Sequence, residues 1–433
     1  MALSARQTGR VPAKDGAAGQ PPNAWLMLAV LLLGQFMCIV DVLEPGRPVM
    51  CAGSASGSSC RRSRASRPGR GSARGPGWIS SVLMRAMSVI PGRPGSALIA
   101  AVSEPGPEEG SVLAAGLLAG ICGTDAEILR GGGQPPDGSE RLVIGHESLG
   151  RVLEAPPDAP VRPGDLVAGV VRRPDPVPCR ACAAGLADFC ANGRYTERGI
   201  KGLDGYGATS WRVSPRFAVR VPDALGDLGV LTEPGSVVAK AWEQIDSIAG
   251  RAPRPGSRAR VALVTGAGPI GMLAALLGRQ RGYQVHVFDR VASGPKPALV
   301  AALGATYHHG PVSALDLCPD VVLECAGAGE LVTALVPRLA PAGIMCLVGI
   351  SSGPHRLPVD MNQVIGSMVL GNSVIFGTVS AARRHYERAV EALSQADPAW
   401  LSGLISRRVP LSRWPAGLAG NPDDVKVVVD LTI

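Results

Sequence analysis

Val261-Ala262-Leu263-Val264-Thr265-Gly266-Ala267-Gly268-Pro269-Ile270-Gly271 decides the fold. An apolar run of strand length passes into a G-x-G-x-x-G loop, and a helical pattern follows over 269–281. Gly266 permits the tight turn, Gly268 lets the backbone approach a pyrophosphate, and Gly271 allows close contact between helix and strand. A helix opening at Pro269-Ile270 aims its first amides at the phosphates. The next apolar run, 285–288, ends at Asp289. A carboxylate there accepts hydrogen bonds from an adenosine ribose diol and repels a 2′-phosphate, which favours NAD. Arg290 partly offsets the repulsion and leaves NADP open. Further apolar strands at 321–325 and 344–348 extend the series into a parallel, doubly wound sheet, the Rossmann arrangement of an α/β protein.

Working outward, the chain of 433 residues has room for two or three units with their own cores. Upstream of the sheet, from Met84 to about Glu233, short β-like runs alternate with Gly/Pro turns, at 142–153, 165–171 and 212–221 for example. Met84-Arg85-Ala86-Met87 reads as the natural start of this β-rich part. The tail, with the apolar run 427–431, returns to it. Residues 1–83 differ in kind. An apolar run at 24–40 has a length between a signal-peptide core and a membrane span. The Ser/Gly/Arg/Pro-rich stretch 51–77 buries too little apolar surface to order itself. This extension holds ten basic residues against three acidic ones, so it carries +7 of the net +8. The remainder is near neutral, and its charge suggests no nucleic-acid partner.

Ten cysteines in a chain of this length do not make a disulfide framework. Cys318, Cys325 and Cys346 lie in apolar runs, while others occupy ligand-like positions, and a reduced, cytoplasmic setting fits best. Gly120-Ile121-Cys122-Gly123-Thr124-Asp125 and Gly145-His146-Glu147 place a thiol, an imidazole and a carboxylate in one β-rich unit. These are zinc ligand types, and a catalytic zinc keeps one position for water or substrate. Glu233, in Leu231-Thr232-Glu233-Pro234, is a further oxygen candidate. A metal site of this kind ahead of a dinucleotide loop implies metal-assisted hydride transfer.

With these motifs assembled, residues 84–433 resemble the zinc-dependent medium-chain dehydrogenase/reductase superfamily, and within it the glucose 1-dehydrogenases. The likeness takes in 120–125, 145–147, Val171-Arg172-Arg173-Pro174, Tyr195-Thr196-Glu197-Arg198-Gly199-Ile200, 231–234 with Lys240, 266–271, and Gly371-Asn372 leading to Phe376-Gly377-Thr378-Val379. It implies a GroES-like catalytic domain built from 84–236 and 376–433, around a Rossmann domain at 237–375. It implies catalytic zinc on Cys122, His146 and Glu147, with Glu233 nearby as ligand or sugar contact. Thr124 matches the hydroxyl that relays the substrate proton, Asp125 would orient His146, and Glu197 matches a position contacting sugar hydroxyls. The implied reaction is oxidation of an aldose, D-glucose foremost, at C1 to the lactone, in a homo-oligomer, often a tetramer. Residues 24–42 separately resemble the first transmembrane helix of major facilitator drug-efflux transporters, so a membrane contact depends on that segment alone.

The chain departs from this pattern twice. Family members often hold a structural zinc on four cysteines. Here Cys179, Cys182 and Cys190 remain and Pro176, which cannot bind zinc by its side chain, stands at the first ligand position; Asp175 beside it is a candidate substitute, and three reduced thiols in an ordinary loop are the other reading. Ser380 occupies a place where glucose dehydrogenases commonly have asparagine near the sugar and nicotinamide, and a hydroxyl offers less than an amide. Ser380 keeps a second reading in view, a zinc polyol or amino-alcohol dehydrogenase of the sorbitol or threonine type. His308-His309 reads as a loop pair after a strand.

Overall fold

The computed structural model describes residues 83–252, 259–350 and 356–433. The apolar run at 24–40 and the basic stretch behind it lie outside the described residues. Among the described residues, no helix is long and apolar enough to cross a membrane.

The β-rich part begins with a small antiparallel sheet of β1 (Leu83–Val89), β2 (Leu98–Ser103) and β4 (Leu142–Val143). A larger sheet is organised around β3 (Val112–Ile121), which pairs antiparallel with β5 (Glu147–Glu154), β10 (Ser210–Val213) and β19 (Lys426–Asp430). β6 (Leu166–Gly169) and β11 (Ala218–Val221) extend it beyond β5, and β18 (Ile405–Pro410) flanks β19 in parallel. The tail therefore pairs with the β-rich unit through β19. A third, small sheet joins β7 (Arg172–Arg173), β8 (Thr196–Arg198) and β9 (Gly202–Leu203).

The apolar run 142–153 is broken between β4 and β5 at Gly145-His146. Gly145 has φ +94°, and a Cβ there would meet the backbone of Gly207 at 2.7 Å. Only glycine fits that turn, and the turn separates His146 from both strands.

The cofactor-type sheet has six parallel strands in the order β14-β13-β12-β15-β16-β17. They are β12 (Val261–Thr265), β13 (Gln284–Phe288), β14 (Thr306–His308), β15 (Val321–Glu324), β16 (Ile344–Leu347) and β17 (Val374–Gly377). This order reverses between β12 and β15, which opens a crevice at their carboxyl ends. His308 is not in a loop. It closes β14 opposite Phe288, with its Nε2 2.8 Å from His286 Nδ1. Of the three cysteines read into apolar runs, Cys346 is buried and Cys325 half-buried, but Cys318 is exposed, in a short connection ahead of β15.

Helix α3 (Thr232–Ala249) leaves the β-rich part and runs along the sheet beside helix α4 (Pro269–Gln280). Trp242 of α3 is fully buried and donates from Nε1 to Ala274 O at 3.2 Å. One core takes in Leu118 and Leu149 of the β-rich unit, Val238 and Trp242 of α3, and Val264 and Leu323 of the parallel sheet. Each large apolar side chain fully buried there contributes about 1.5–3 kcal/mol.

Gly271 lies where α4 presses on the turn after β12, and an added Cβ would collide with the Gly266 carbonyl oxygen. Gly271→Ala is therefore expected to cost about 1–3 kcal/mol and to weaken dinucleotide binding. Urea unfolding together with NADH fluorescence titration checks both effects.

Candidate active site

β3 delivers its last residue, Ile121, directly to Cys122, and a short helix α1 (Gly123–Glu127) starts at once. Cys122 caps that helix: its Sγ accepts from Thr124 N at 3.3 Å, and Asp125 Oδ2 accepts from Cys122 N at 2.9 Å. The cap fixes the thiol pointing away from the strand. Cys122 Sγ and His146 Nε2 lie 3.0 Å apart. The other ring nitrogen, Nδ1, faces Asp125 Oδ1 at 3.7 Å, and Asp125 is wholly buried.

His146 is also grouped with Glu147 and Glu233, each offering a ligand atom within 4.8 Å of the others. Glu147 opens β5, and Glu233 sits in the first turn of α3. Thr124 is half-buried on the outer side of α1.

The charges explain what such a cluster can hold. Burial pushes the Asp125 carboxyl up against the pull of His146. Burial likewise pushes Glu233 up to about 7, again opposed by His146. For His146, burial works against the imidazolium, but Cys122, Asp125 and Glu233 together raise it well above its ordinary value. Lys426 adds a cation that the motifs do not announce. It is fully buried, its Nζ donates to Ile121 O at 2.9 Å, and it is in close ion contact with Glu147 Oε2. The polar residue inside Val425-Lys426-Val427-Val428-Val429 is the sequence signal that could have found it.

A thiolate, an imidazole and carboxylates converging in a buried, acid-rich place fit zinc. Asp125 Oδ1 and His146 Nδ1 have no hydrogen-bond partner and face each other, the arrangement of a carboxylate behind a metal-bound histidine.

Glu197, in β8, is held by Arg172 of β7, whose Nε and Nη2 each lie 3.0 Å from Glu197 Oε1. The Arg172 guanidinium stacks 3.7 Å from the Tyr195 ring centroid. Glu197 acts electrostatically on Glu233, so the two carboxylates belong to one neighbourhood.

At the carboxyl end of β12 the glycine loop turns tightly into α4. Gly266 has φ +86° and Gly268 precedes α4 with no side-chain cap, which leaves the helix's first amides open. Asp289 follows β13; its Oδ2 accepts from Ala267 N at 2.6 Å, and Arg290 is exposed. Ser380 follows β17 by three residues and has φ +58°.

Cys179, Cys182 and Cys190 also gather, their sulfurs within 4.8 Å of one another. Cys179 Sγ accepts N–H bonds from Cys182 at 3.5 Å and Ala191 at 3.4 Å, which hold its thiol down to about 6. Asp175 is not the fourth donor. It is buried, and its carboxylate is taken by Val177 N at 2.8 Å, Asn192 Nδ2 at 2.8 Å and Arg194 Nε at 3.1 Å. A carboxylate committed to three donors is the lobe's staple, and no other side chain among the described residues joins the three sulfurs.

A β-rich unit with a Cys/His/Glu cluster, joined to a doubly wound dinucleotide sheet, defines a zinc-dependent medium-chain dehydrogenase. Residues 108–223 match the alcohol dehydrogenase GroES-like domain, and residues 226–431 match the glucose dehydrogenase C-terminus. Glucose 1-dehydrogenase of Methanocella arvoryzae is 38% identical over 360 residues, covering 80% of this chain and 99% of the relative. That of Thermoproteus tenax is 38% identical over 355 residues with the same coverage. The structure of Haloferax mediterranei glucose dehydrogenase in complex with NADP, Zn and gluconolactone superposes with a TM-score of 0.73 at 29% identity, covering 80% of this chain and 99% of that one. The chain belongs to the glucose 1-dehydrogenase family.

Replacing Lys426 by Met leaves Glu147 buried without its partner. With zinc removed, K426M is expected to lose about 3–5 kcal/mol of stability, read from urea unfolding in the presence of a chelator.

Proposed function

We propose that this protein oxidises an aldose, D-glucose foremost, at C1 to the lactone with hydride transfer to NAD(P). The observation that carries this is the convergence of Cys122, His146, Glu147 and Glu233, beside Glu197, in a glucose 1-dehydrogenase relative. Cys122, His146 and Glu147 hold the zinc, and Glu233 serves as a further ligand or sugar contact. Zinc, when bound, supplies a Lewis acid that lowers the pKa of a hydroxyl facing it.

The remaining work falls to the chain. Asp125 orients His146 through Nδ1. The Thr124 hydroxyl, in the first turn of α1, relays the substrate proton toward solvent. Glu197, held by Arg172, accepts from sugar hydroxyls, and Ser380 contributes one hydroxyl from the far side of the cleft. Gly266, Gly268, Pro269, Ile270 and Gly271 bring backbone amides to the pyrophosphate. Asp289 favours NAD through the ribose diol, with NADP admitted beside Arg290. Residues 84–236 and 376–433 make the catalytic domain and 237–375 the cofactor domain, α3 and β17 crossing between them.

The seven described cysteines are all free, which supports a reduced, cytosolic setting. β17 is an edge of the parallel sheet, and Met361, Ile365, Val369 and Leu370 are exposed on the preceding helix α5 (Met361–Gly371). An open edge beside an apolar face supports a homo-oligomer.

Ser380 favours one second reading, a polyol or amino-alcohol substrate. Protein beginning at Met84 is to be assayed by NAD(P)H absorbance with D-glucose, D-galactose, D-xylose, sorbitol and L-threonine. Chelator-sensitive turnover of aldoses is expected; turnover confined to sorbitol or threonine transfers the enzyme to the second reading. Cys122→Ser should lose zinc, measured by mass spectrometry, together with activity, and full activity in that variant overturns the zinc assignment. In the cysteine lobe, three sulfurs without a fourth side chain hold any metal exchangeably. A mild chelator is expected to strip that metal while turnover persists, as simultaneous metal analysis and assay will show.

A further inference from the structure

Lys240 lies two helical turns beyond Glu233 on the same side of α3, and only 2% of it is exposed. Its ammonium sits 3.1 Å from Asp188 Oδ2 and 4.2 Å from the Phe189 ring centroid, and it donates to Val379 O at 3.2 Å. Asp188 belongs to the cysteine lobe, between Cys182 and Cys190. Val379 immediately precedes Ser380. One turn further along α3, Gln244 Nε2 donates to Thr378 Oγ1 at 3.0 Å. Two successive side chains of one rigid helix therefore grip two successive residues of the loop behind β17.

Burying an ammonium and a carboxylate costs several kcal/mol per ion, and their attraction repays this only with good geometry and further hydrogen bonds. Here the further bonds go to the Val379 carbonyl and, at 3.4 Å, to the Asp188 carbonyl, and Arg384 Nη2 lies 3.7 Å from Asp188 Oδ2. The ion pair thus sits where the lobe, α3 and the loop meet. Val379 itself is 53% exposed, and no side chain of its own anchors it in the core. Ser380 beyond it holds φ +58°, a conformation that non-glycine residues rarely adopt unless the surroundings fix it. The loop leaves the carboxyl end of a strand in a doubly wound sheet, where dinucleotides bind.

We propose that Lys240 is a positioning residue for hydride transfer: anchored by Asp188 of the cysteine lobe, it fixes the Val379 carbonyl and so seats Ser380 and the adjoining backbone against sugar and nicotinamide. It touches neither reacting carbon; it acts through the loop. The inference rests on the dehydrogenase reading for its kinetic arm and stands apart from it in its binding arm.

The test compares K240M, K240R and the double variant D188N/K240M, in which no buried charge is left alone at the pair, with the parent. K240M and the double variant should keep the parent's zinc content. Both should show kcat/KM for D-glucose reduced about 100-fold, the scale of a misplaced contact, with kcat falling and KM rising, and NADH affinity reduced several-fold in fluorescence titration. K240R, which can reach both partners, should recover most of the loss. A folded double variant with parental kcat, KM and NADH affinity overturns the proposal. So does a K240R as impaired as K240M, or a loss accompanied by loss of zinc. If the parent itself turns over no aldose, the aldose reading has failed, and NADH titration of the same variants still decides the role of Lys240.

Discussion

Everything in the catalytic region depends on the balance of buried charge around His146. A thiol and the carboxylates of Asp125, Glu147 and Glu233 crowd one imidazole, and burial pushes Asp125 and Glu233 toward neutrality. One fixed cation, Lys426, offsets Glu147, and a divalent metal, when bound, would offset the rest. Lys426 arrives on β19, 305 residues beyond the Ile121 carbonyl it binds. The last strand of the chain must pair with β3 before the acids around His146 become electrostatically tolerable. The doubling back of the tail is therefore a condition for the site. Contacts of such sequence separation are the ones whose loop-closure entropy is met late in folding.

Helix α3 converts that site into one with a defined distance to the cofactor crevice. Its first turn carries Glu233, its middle buries Trp242 between the sheet and α4, and its Lys240 and Gln244 hold the loop behind β17. Groups on one packed helix keep their separations far better than groups on independent loops. The cost is an ion pair and a tryptophan N–H placed in the interior, each of which needs its specific acceptor. Asp188 and Ala274 O meet that need.

Local chemistry made much of this legible. The loop 266–271, the strands on either side of it and Asp289 follow from rules that operate within a few residues, and the six-stranded sheet has the order such a pattern demands. Cys122, His146 and Glu147 were likewise marked by the glycines beside them, because the turn at Gly145 and the cap at Cys122 are backbone requirements. What stayed hidden is what depends on tertiary neighbours. Lys426 reads as an ordinary lysine until its partners are known, and Lys240, though part of the family likeness, carries no sequence sign of the loop it holds. Arg172 stands in a recognised string, yet its grip on Glu197 is a cross-strand contact. Asp175, a candidate substitute ligand by its place beside Pro176, is taken up instead by hydrogen bonds from Asn192 and Arg194. His308, which the sequence places in a loop after a strand, is drawn into the sheet by the parallel pairing with β13.

Ser380 shows how backbone and chemistry can be confused at one position. Asparagine is tolerated in the left-handed region far better than serine, because its short amide can bond locally. A preference for asparagine at φ +58° therefore has a conformational component in addition to any contact with sugar. Serine there loses both the amide's donor and part of the conformational ease, at a cost on the order of 1–3 kcal/mol. The grip of Lys240 on Val379 and of Gln244 on Thr378 holds the residues just before that strained one, while Tyr386 of the following helix is buried in the core with Ala381. The loop is fixed from both sides, so the strain is borne by the packing rather than released by moving the loop. The departure at this position is accordingly absorbed by the packing around the loop, whose placement it leaves intact.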